Sequence, residues 1–165
     1  MIQERYETIK ADFVNQYRNL LCEESMVDIR AAHDWHSFVA VLRKYMAFNT
    51  YRPFPDVEWV RKWFAEDKEP LHDESIYLDE MVVETAEPDS HILCYGMCTG
   101  TVIYKHPGKH HVLLQDQSKL DILAFGQAVV FVKLKGEASA FVLFKNKSAI
   151  VKTRRYETKD DVKWR

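Results

Sequence analysis

The sequence has few of the residues on which many common functional sites depend. Only five of its 165 residues are glycine and three are cysteine, and it has no G-x-x-x-x-G-K-[ST], G-x-S-x-G or H-E-x-x-H motif. These absences argue against a phosphate-binding loop, a hydrolase nucleophile elbow and a zinc-protease helix. The three cysteines, Cys22, Cys94 and Cys98, follow a start, MIQERYETIK, that is too polar for a secretory signal. We therefore expect a cytoplasmic protein without a disulfide framework.

The sequence also lacks a long apolar run and a strong net charge. No stretch of about 20 apolar residues is present, so we expect no membrane-spanning helix. The net charge is −2, but residues 1–90 carry 10 Lys/Arg and 19 Asp/Glu, whereas residues 91–165 carry 13 and 6. The first part is therefore acidic and the second is basic, an asymmetry that bears on the choice of partner.

The N-terminal part is predicted to be helical. Apolar residues recur at spacings of three and four over Ile2–Leu20, which is typical of one face of a helix. Ser25, Asp34 and Asp56 each precede another apolar stripe and are predicted to cap three further helices. A loop around Pro53 separates the last two.

We place the helical domain at residues 1–68 and a β-repeat domain at residues 69–165. An acidic linker is expected at about residues 66–75. Because the helices come first and the strands follow without alternation, the fold class is α+β with segregated parts. We expect the helical part to cover the N-terminal end of the β part.

From Ile76 onward the sequence repeats every ten residues. The seventh position of most blocks is β-branched, and the third is small. The seventh positions are Val82, Ile92, Val102, Val112, Ile122, Val132 and Val142, and the pattern fails at Lys152 and returns at Val162. The third positions are Cys98, Gly108, Ser118, Ala128, Ala138 and Ser148. Most blocks start with a turn former: Gly96, Asp116, Gly126, Gly136 and Asn146, with His106 as the exception.

This period favours a β-solenoid, resembling a single-stranded β-helix, with ten-residue repeats and one or two blocks per coil. Equivalent positions stack in a solenoid, so a uniformly small third position follows from crowding. An antiparallel meander is the alternative, but it places equivalent positions at opposite ends of neighbouring strands. The polar end, YETKDDVKWR, would suit a terminal cap.

The helical start, the segment VLRKYMAFNTYRPFPDVEWVRKWF (Val41–Phe64) and the β repeats together resemble a known group. It comprises uncharacterised proteins of gut bacteria and their phages, with a small helical domain before a β-solenoid of [GDN]-x-[SAC] repeats. The resemblance implies the fold and a phage or mobile-element setting. It implies no activity, cofactor or ligand.

Two clusters have the residue types of a metal or acid–base site. His91, Cys94 and Cys98, with His106, His110 or His111, offer zinc ligands, but their spacing is not that of a zinc knuckle. We interpret the cysteines as structural and expect no cofactor and no metal. His33 and His36, near Asp34 and Asp28, are interpreted as polar residues at a helix start.

Basic residues recur near the block ends of the last coils, interleaved with aromatic residues. Lys135 and Lys145 are predicted to stack on one edge of the solenoid, where a basic ladder would follow a phosphate backbone. The alternative is that they keep sheet edges soluble. The candidate contacts to nucleic acid or a partner are Lys133, Lys135, Lys145, Lys147, Lys152, Arg154 and Arg155.

An acidic cluster is the candidate for contact with a basic surface of a partner. It comprises Asp73, Glu74, Asp79 and Glu80. A rigid acidic surface can occupy a basic groove meant for nucleic acid, as an inhibitor of a defence nuclease would. The simpler interpretation is a solvated face, since no calcium-loop pattern is present.

The sequence thus favours a non-enzymatic protein that presents rigid solenoid surfaces for a protein partner or for self-assembly into homo-oligomers. The alternatives are a phage or mobile-element inhibitor of nucleic-acid-processing machinery, and a nucleic-acid binder using the basic half. An enzyme would need a pocket where polar groups converge, and we expect none.

Overall fold

The computed structural model describes residues 2–46, 55–88 and 90–156. The chain separates into two compact units, and the boundary falls between Glu74 and Ser75. The first unit holds the helices and the second holds the strands. The loop around Pro53, the return at Val162 and the predicted terminal cap lie outside the described residues, apart from Tyr156.

The helical unit is built on aromatic side chains. Phe13 packs against Tyr17, Phe38 and Trp59 with ring centroids 4.9, 5.6 and 5.1 Å away. Among the described residues, no helix is both long and apolar enough to cross a membrane. The α-helices are α1 (Ile2–Tyr17), α2 (Glu23–Ala31), α3 (Trp35–Met46), α4 (Val57–Phe64) and α5 (Glu69–His72), with a 3-10 turn at Arg18–Leu20.

Side chains cap three of these helices. Asp34 and Asp56 accept hydrogen bonds from the backbone N–H groups of Ser37 and Trp59 at 2.8 and 2.9 Å, as predicted. The prediction that Ser25 caps α2 is wrong, because the helix begins at Glu23 and Ser25 is buried in its first turn. Cys22 takes the capping position instead, and its Sγ accepts from the Ser25 N–H at 3.5 Å.

The strand unit is a parallel β-solenoid of two sheets. The first sheet has five strands in the order β1-β3-β5-β7-β9, and the second has four in the order β2-β4-β6-β8. Every strand pair is parallel, which excludes the antiparallel meander. The strands are β1 (Ile76–Leu78), β2 (Met81–Ala86), β3 (His91–Tyr95), β4 (Thr99–Tyr104), β5 (Gly108–Leu114), β6 (Lys119–Ala124), β7 (Ala128–Leu134), β8 (Ser139–Lys145) and β9 (Ile150–Arg155).

Each coil contains two of the ten-residue blocks. Val112 pairs with Val132, and Ile122 pairs with Val142, so stacked positions are twenty residues apart. Consecutive blocks therefore lie in different sheets, and alternate blocks form one column. The interior of the coils is a continuous apolar core, which contains the seventh-position residues Val82, Ile92, Val102, Val112, Ile122 and Val132.

The small third positions occupy the inside of the corners. Cys98, Ser118 and Ala138 are fully buried at one corner, and Gly108 pairs with fully buried Ala128 at the other. The prediction that Ser148 belongs to this second column is wrong. Ala149 occupies it and is 1% exposed, because the pairing of β6 with β8 shifts by one residue after Val142.

The first coil also departs from the repeat. Val82 pairs with Gly100, eighteen residues on, so its predicted alignment with Val102 is wrong. Glu84 takes the position next to Val102, and its carboxylate accepts a hydrogen bond from the Tyr77 hydroxyl. The shorter first coil therefore places a satisfied carboxylate where later coils have valine or isoleucine.

Replacing Ala128 with leucine is expected to lower the free energy of unfolding by about 1–3 kcal/mol, because a larger side chain overpacks the column. Chemical denaturation followed by circular dichroism measures the change. Ser148→Leu is the matched control, because Ser148 has the same block position but is exposed. Equal losses in both variants would contradict the assignment of Ala149 to the column.

Candidate functional site

The outer face of the five-stranded sheet carries one sign of charge. Lys109, Lys133, Lys152 and Arg154 project from it, and we call these four residues the basic face. Strands β3, β5, β7 and β9 contain no aspartate or glutamate. Val132 and Val151 belong to or pack against the core, so the alternating residues on the same strands point outward. Lys133 and Arg154 are direct neighbours across β7 and β9.

A ladder of rings runs across the same face. His91, His111 and Phe131 are aligned by the register of β3, β5 and β7. The ring centroids are 4.8 and 5.2 Å apart, with interplanar angles of 7° and 19°. Lys152 Nζ lies 6.0 Å from the Phe131 centroid and closes the ladder. The rings therefore cover one another's faces and present their edges outward.

The lysine and arginine residues supply the fixed positive charge of this face. Burial lowers the pKa of His111 below its usual range, and the neighbouring charges of His91 and Lys133 lower it further. A neutral His111 stacks between its neighbours without adding charge to the ladder.

The structure brings together three of the seven predicted basic contacts, namely Lys133, Lys152 and Arg154. Lys147 is exposed in the turn after β8. Lys145 Nζ donates to Ala149 O at 3.1 Å, and Arg155 donates to Ala138 O at 2.7 Å. These two side chains therefore satisfy carbonyl groups at the end of the last coil.

The predicted stacking of Lys135 on Lys145 is wrong. Lys135 directly follows β7 of the first sheet, whereas Lys145 ends β8 of the second. The prediction assumed that consecutive blocks stack, which the coil of two blocks does not permit. The sequence reasoning also missed Lys109 and the ring ladder, although His91, His111 and Phe131 stand twenty residues apart.

Lys135 is a buried lysine, 6% exposed. Burial lowers its pKa to about 8, the charge of Lys133 adds to this effect, and Asp116 opposes it. Between this pKa and the ordinary value near 10.5, the unfolded chain binds more protons than the folded one. The contribution of Lys135 to the free energy of unfolding therefore rises with pH between these two values. Below the lower value, the buried amine is charged in the folded state and its full destabilising effect is present.

Replacing Lys135 with methionine is expected to raise the free energy of unfolding at pH 7 by on the order of 2–3 kcal/mol. The gain should shrink towards pH 10, where the wild-type amine is neutral in the folded state. Denaturation at pH 7 and pH 10 measures this difference. Lys119→Met, which replaces an exposed lysine of the second sheet, is the control and should change the free energy of unfolding by about 0.5 kcal/mol or less. A gain for Lys135→Met that is constant with pH would contradict the prediction.

The acidic candidates are divided between the two units. In the helical unit, Asp73 lies 2.8 Å from His36 Nδ1. In the strand unit, Asp79 accepts from the Met97 N–H at 2.8 Å, and Glu80 accepts from the Leu78 N–H at 2.9 Å. Asp79 and Glu80 thus stabilise the turn between β1 and β2. Glu74 ends the helical unit, and the inhibitor hypothesis stays a prediction.

The residues considered for zinc do not converge. His91 is on the outer face of β3, whereas Cys94 points into the core and is fully buried with Cys98. His110 also points inward, and its Nε2 lies 3.0 Å from His106 O. Within residues 2–46, 55–88 and 90–156, no group of three or more His, Cys, Asp or Glu side chains is placed to hold a metal ion.

The last strand of the second sheet exposes a run of apolar side chains. Phe141, Val142, Leu143 and Phe144 are 61, 45, 63 and 47% exposed, and we call these four residues the apolar edge. Within the described part of the chain, β8 pairs only with β6. Val142 continues the core column above fully buried Ile122. The core is therefore open at this strand.

No family model, curated protein or solved structure matches the chain. The structure itself defines the fold class, which is a helical N-terminal unit followed by a parallel two-sheet β-solenoid. Two surfaces of that solenoid stand out, the basic face and the apolar edge.

Proposed function

We propose that this chain is a non-enzymatic interaction protein that self-associates through the apolar edge of β8. The observation that carries the proposal is the run of four consecutive apolar side chains on a strand at the end of its sheet, each at least 45% exposed. An end strand presents backbone N–H and C=O groups that pair with another chain. The occupant we propose is β8 of a second copy.

A two-fold antiparallel pair fits the charges of β8. With Val142 at the centre, Phe141 of each copy lies opposite Leu143 of the other, and Ser139 lies opposite Lys145. The two Lys145 side chains are then separated by about 20 Å, because Ser139 and Lys145 are six residue steps apart along the strand. A two-fold pair of this kind uses the same surface on both copies and closes on itself.

The apolar side chains would supply much of the stabilisation in such a pair. Phe144 already packs on Phe125 with ring centroids 5.0 Å apart, so its position is defined before association. Burial of exposed apolar surface stabilises a complex by roughly 25 cal/mol per Å² before the costs of association are subtracted. Preorganised edge residues reduce those costs.

Sedimentation velocity over a range of protein concentrations tests the proposal. Wild type should form a dimer, and the double variant Phe141→Lys/Leu143→Lys should be monomeric with little loss of thermal stability, because both side chains are more than 60% exposed. The matched control is Met81→Lys/Val83→Lys, on β2 at the other end of the same sheet, where the side chains are 76 and 77% exposed. The control should still dimerise.

Two results would overturn the proposal. One is a wild-type chain that stays monomeric at about 100 µM, which corresponds to an association too weak for a specific pair. The other is equal disruption by the β2 variant, which would place association elsewhere.

A further inference from the structure

The basic face points to a second surface with a different ligand. We infer that Lys109, Lys133, Lys152 and Arg154 bind the phosphate backbone of a nucleic acid without reading its base sequence. The inference is independent of the proposed association through β8, because it concerns the other sheet and other residues.

The first support is the separation of charge. Among the described strands of this sheet, β3, β5, β7 and β9 carry lysine, arginine and histidine but no aspartate or glutamate. Among the described residues, Lys133, Lys152 and Arg154 form no ion pair, and their cations are not neutralised by a neighbour on the sheet. A surface of one sign attracts a polyanion and raises the rate of encounter.

The second support is the regular spacing that a parallel sheet imposes. Lys133 and Arg154 sit on adjacent strands, about 4.8 Å apart, and Lys152 and Arg154 are separated by about 6.6 Å along β9. The strands hold these positions rigidly, so little backbone order is lost on binding. Arg154 also lies over the ring of Tyr156, with its Cζ 4.9 Å from the centroid. This contact orients the guanidinium group.

The third support is the ring ladder, which bears on whether the basic face would contact the bases or the phosphates of a nucleic acid. Bases stack on exposed aromatic faces in proteins that read single strands. Here His91, His111 and Phe131 stack on one another, and Lys152 covers the last ring. Both faces of His111 and Phe131 are therefore covered, so the contacts that these positions leave to a nucleic acid are those between cations and phosphates. Contacts of this kind position a nucleic acid but carry no sequence information.

The test is fluorescence anisotropy with the full chain and a fluorescein-labelled 20-nucleotide strand of mixed sequence, alone and as a duplex. Binding is expected at 50 mM NaCl and should weaken steeply towards 200 mM. Four phosphate contacts predict a slope of log K against log salt of about −3 to −4 for the duplex. A second duplex of unrelated sequence should bind within about threefold, because phosphate contacts do not distinguish bases.

The variant Lys133→Gln/Arg154→Gln should reduce that slope by about two and weaken binding at least tenfold. The control Lys105→Gln/Lys119→Gln removes the same charge from exposed residues outside the basic face. It should bind within about twofold of wild type, because it leaves the four phosphate contacts in place. Circular dichroism melting confirms that both variants fold.

Three results would overturn the inference. The first is the absence of binding to either the single strand or the duplex at 50 mM NaCl. Equal weakening by the control variant would show that only net charge matters. A preference of more than about tenfold for one duplex sequence would show that bases are read.

Discussion

Replacing Gly100 with alanine is expected to lower the free energy of unfolding by about 4 kcal/mol or more, one of the largest effects for a single methyl group in this chain. Gly100 has a φ of 142°, and a Cβ atom there would lie 1.9 Å from Val82 O. Val82 is its register partner in the first coil, so the backbones would have to separate. Urea denaturation of the full chain measures the loss.

Gly126→Ala is the control for Gly100→Ala. Gly126 also has a positive φ, 57°, but the nearest atom to its Cβ position is Lys105 O at 3.5 Å. Only the backbone conformation is then unfavourable, at a cost of about 1 kcal/mol. Similar losses in both variants would contradict the close approach of β2 and β4.

The second large effect is expected for Ile122→Ala, with a loss of about 2–5 kcal/mol in the free energy of unfolding. Ile122 is fully buried and lies between Val102 and Val142 in its column. Removing most of its side chain leaves a cavity in a rigid stack of strands, which relaxes only partially. Guanidinium denaturation followed by circular dichroism measures the change.

A matched pair of valines tests whether the core is open at the apolar edge. Val132 is 1% exposed and Val142 is 45% exposed. At a protein concentration low enough to keep the chain monomeric, the same Val→Ala change should cost about 1–3 kcal/mol at Val132 but well under 1 kcal/mol at Val142, because the exposed side chain loses little buried area. Equal costs in the monomer would show that the chain itself covers Val142.

Much of the fold was predictable because the repeat encodes it. Seventh-position residues such as Val112 and Ile122 point into the core, and small residues such as Ser118 and Ala138 fill the corners. The period shows that equivalent positions stack, but it does not show whether one or two blocks complete a coil. That choice depends on how the chain turns at each corner, which the turn formers alone leave open.

The details that the sequence did not yield come from single-residue shifts. One extra residue near Val142 moves Ala149 into the place predicted for Ser148. Because of the same shift, Arg155 lies on the core side of β9 and Arg154 lies on its outer side. A side chain changes face when the register slips by one. The basic face was therefore only partly predictable, and the positions shared by His91, His111 and Phe131 became clear only from the twenty-residue coil.

Oxidative cross-linking gives the clearest readout of whether β8 pairs with β8 of a second copy around Val142. Cys94 and Cys98 are buried, so Val142→Cys in a Cys22→Ser background adds the one accessible thiol among the described residues. Directly opposite residues in an antiparallel pair have Cα atoms about 4.5–5.5 Å apart, within disulfide range. Val142→Cys should give a covalent dimer on a non-reducing gel, and Val83→Cys in the same background should give none. No dimer, or equal cross-linking at both positions, would contradict this pairing.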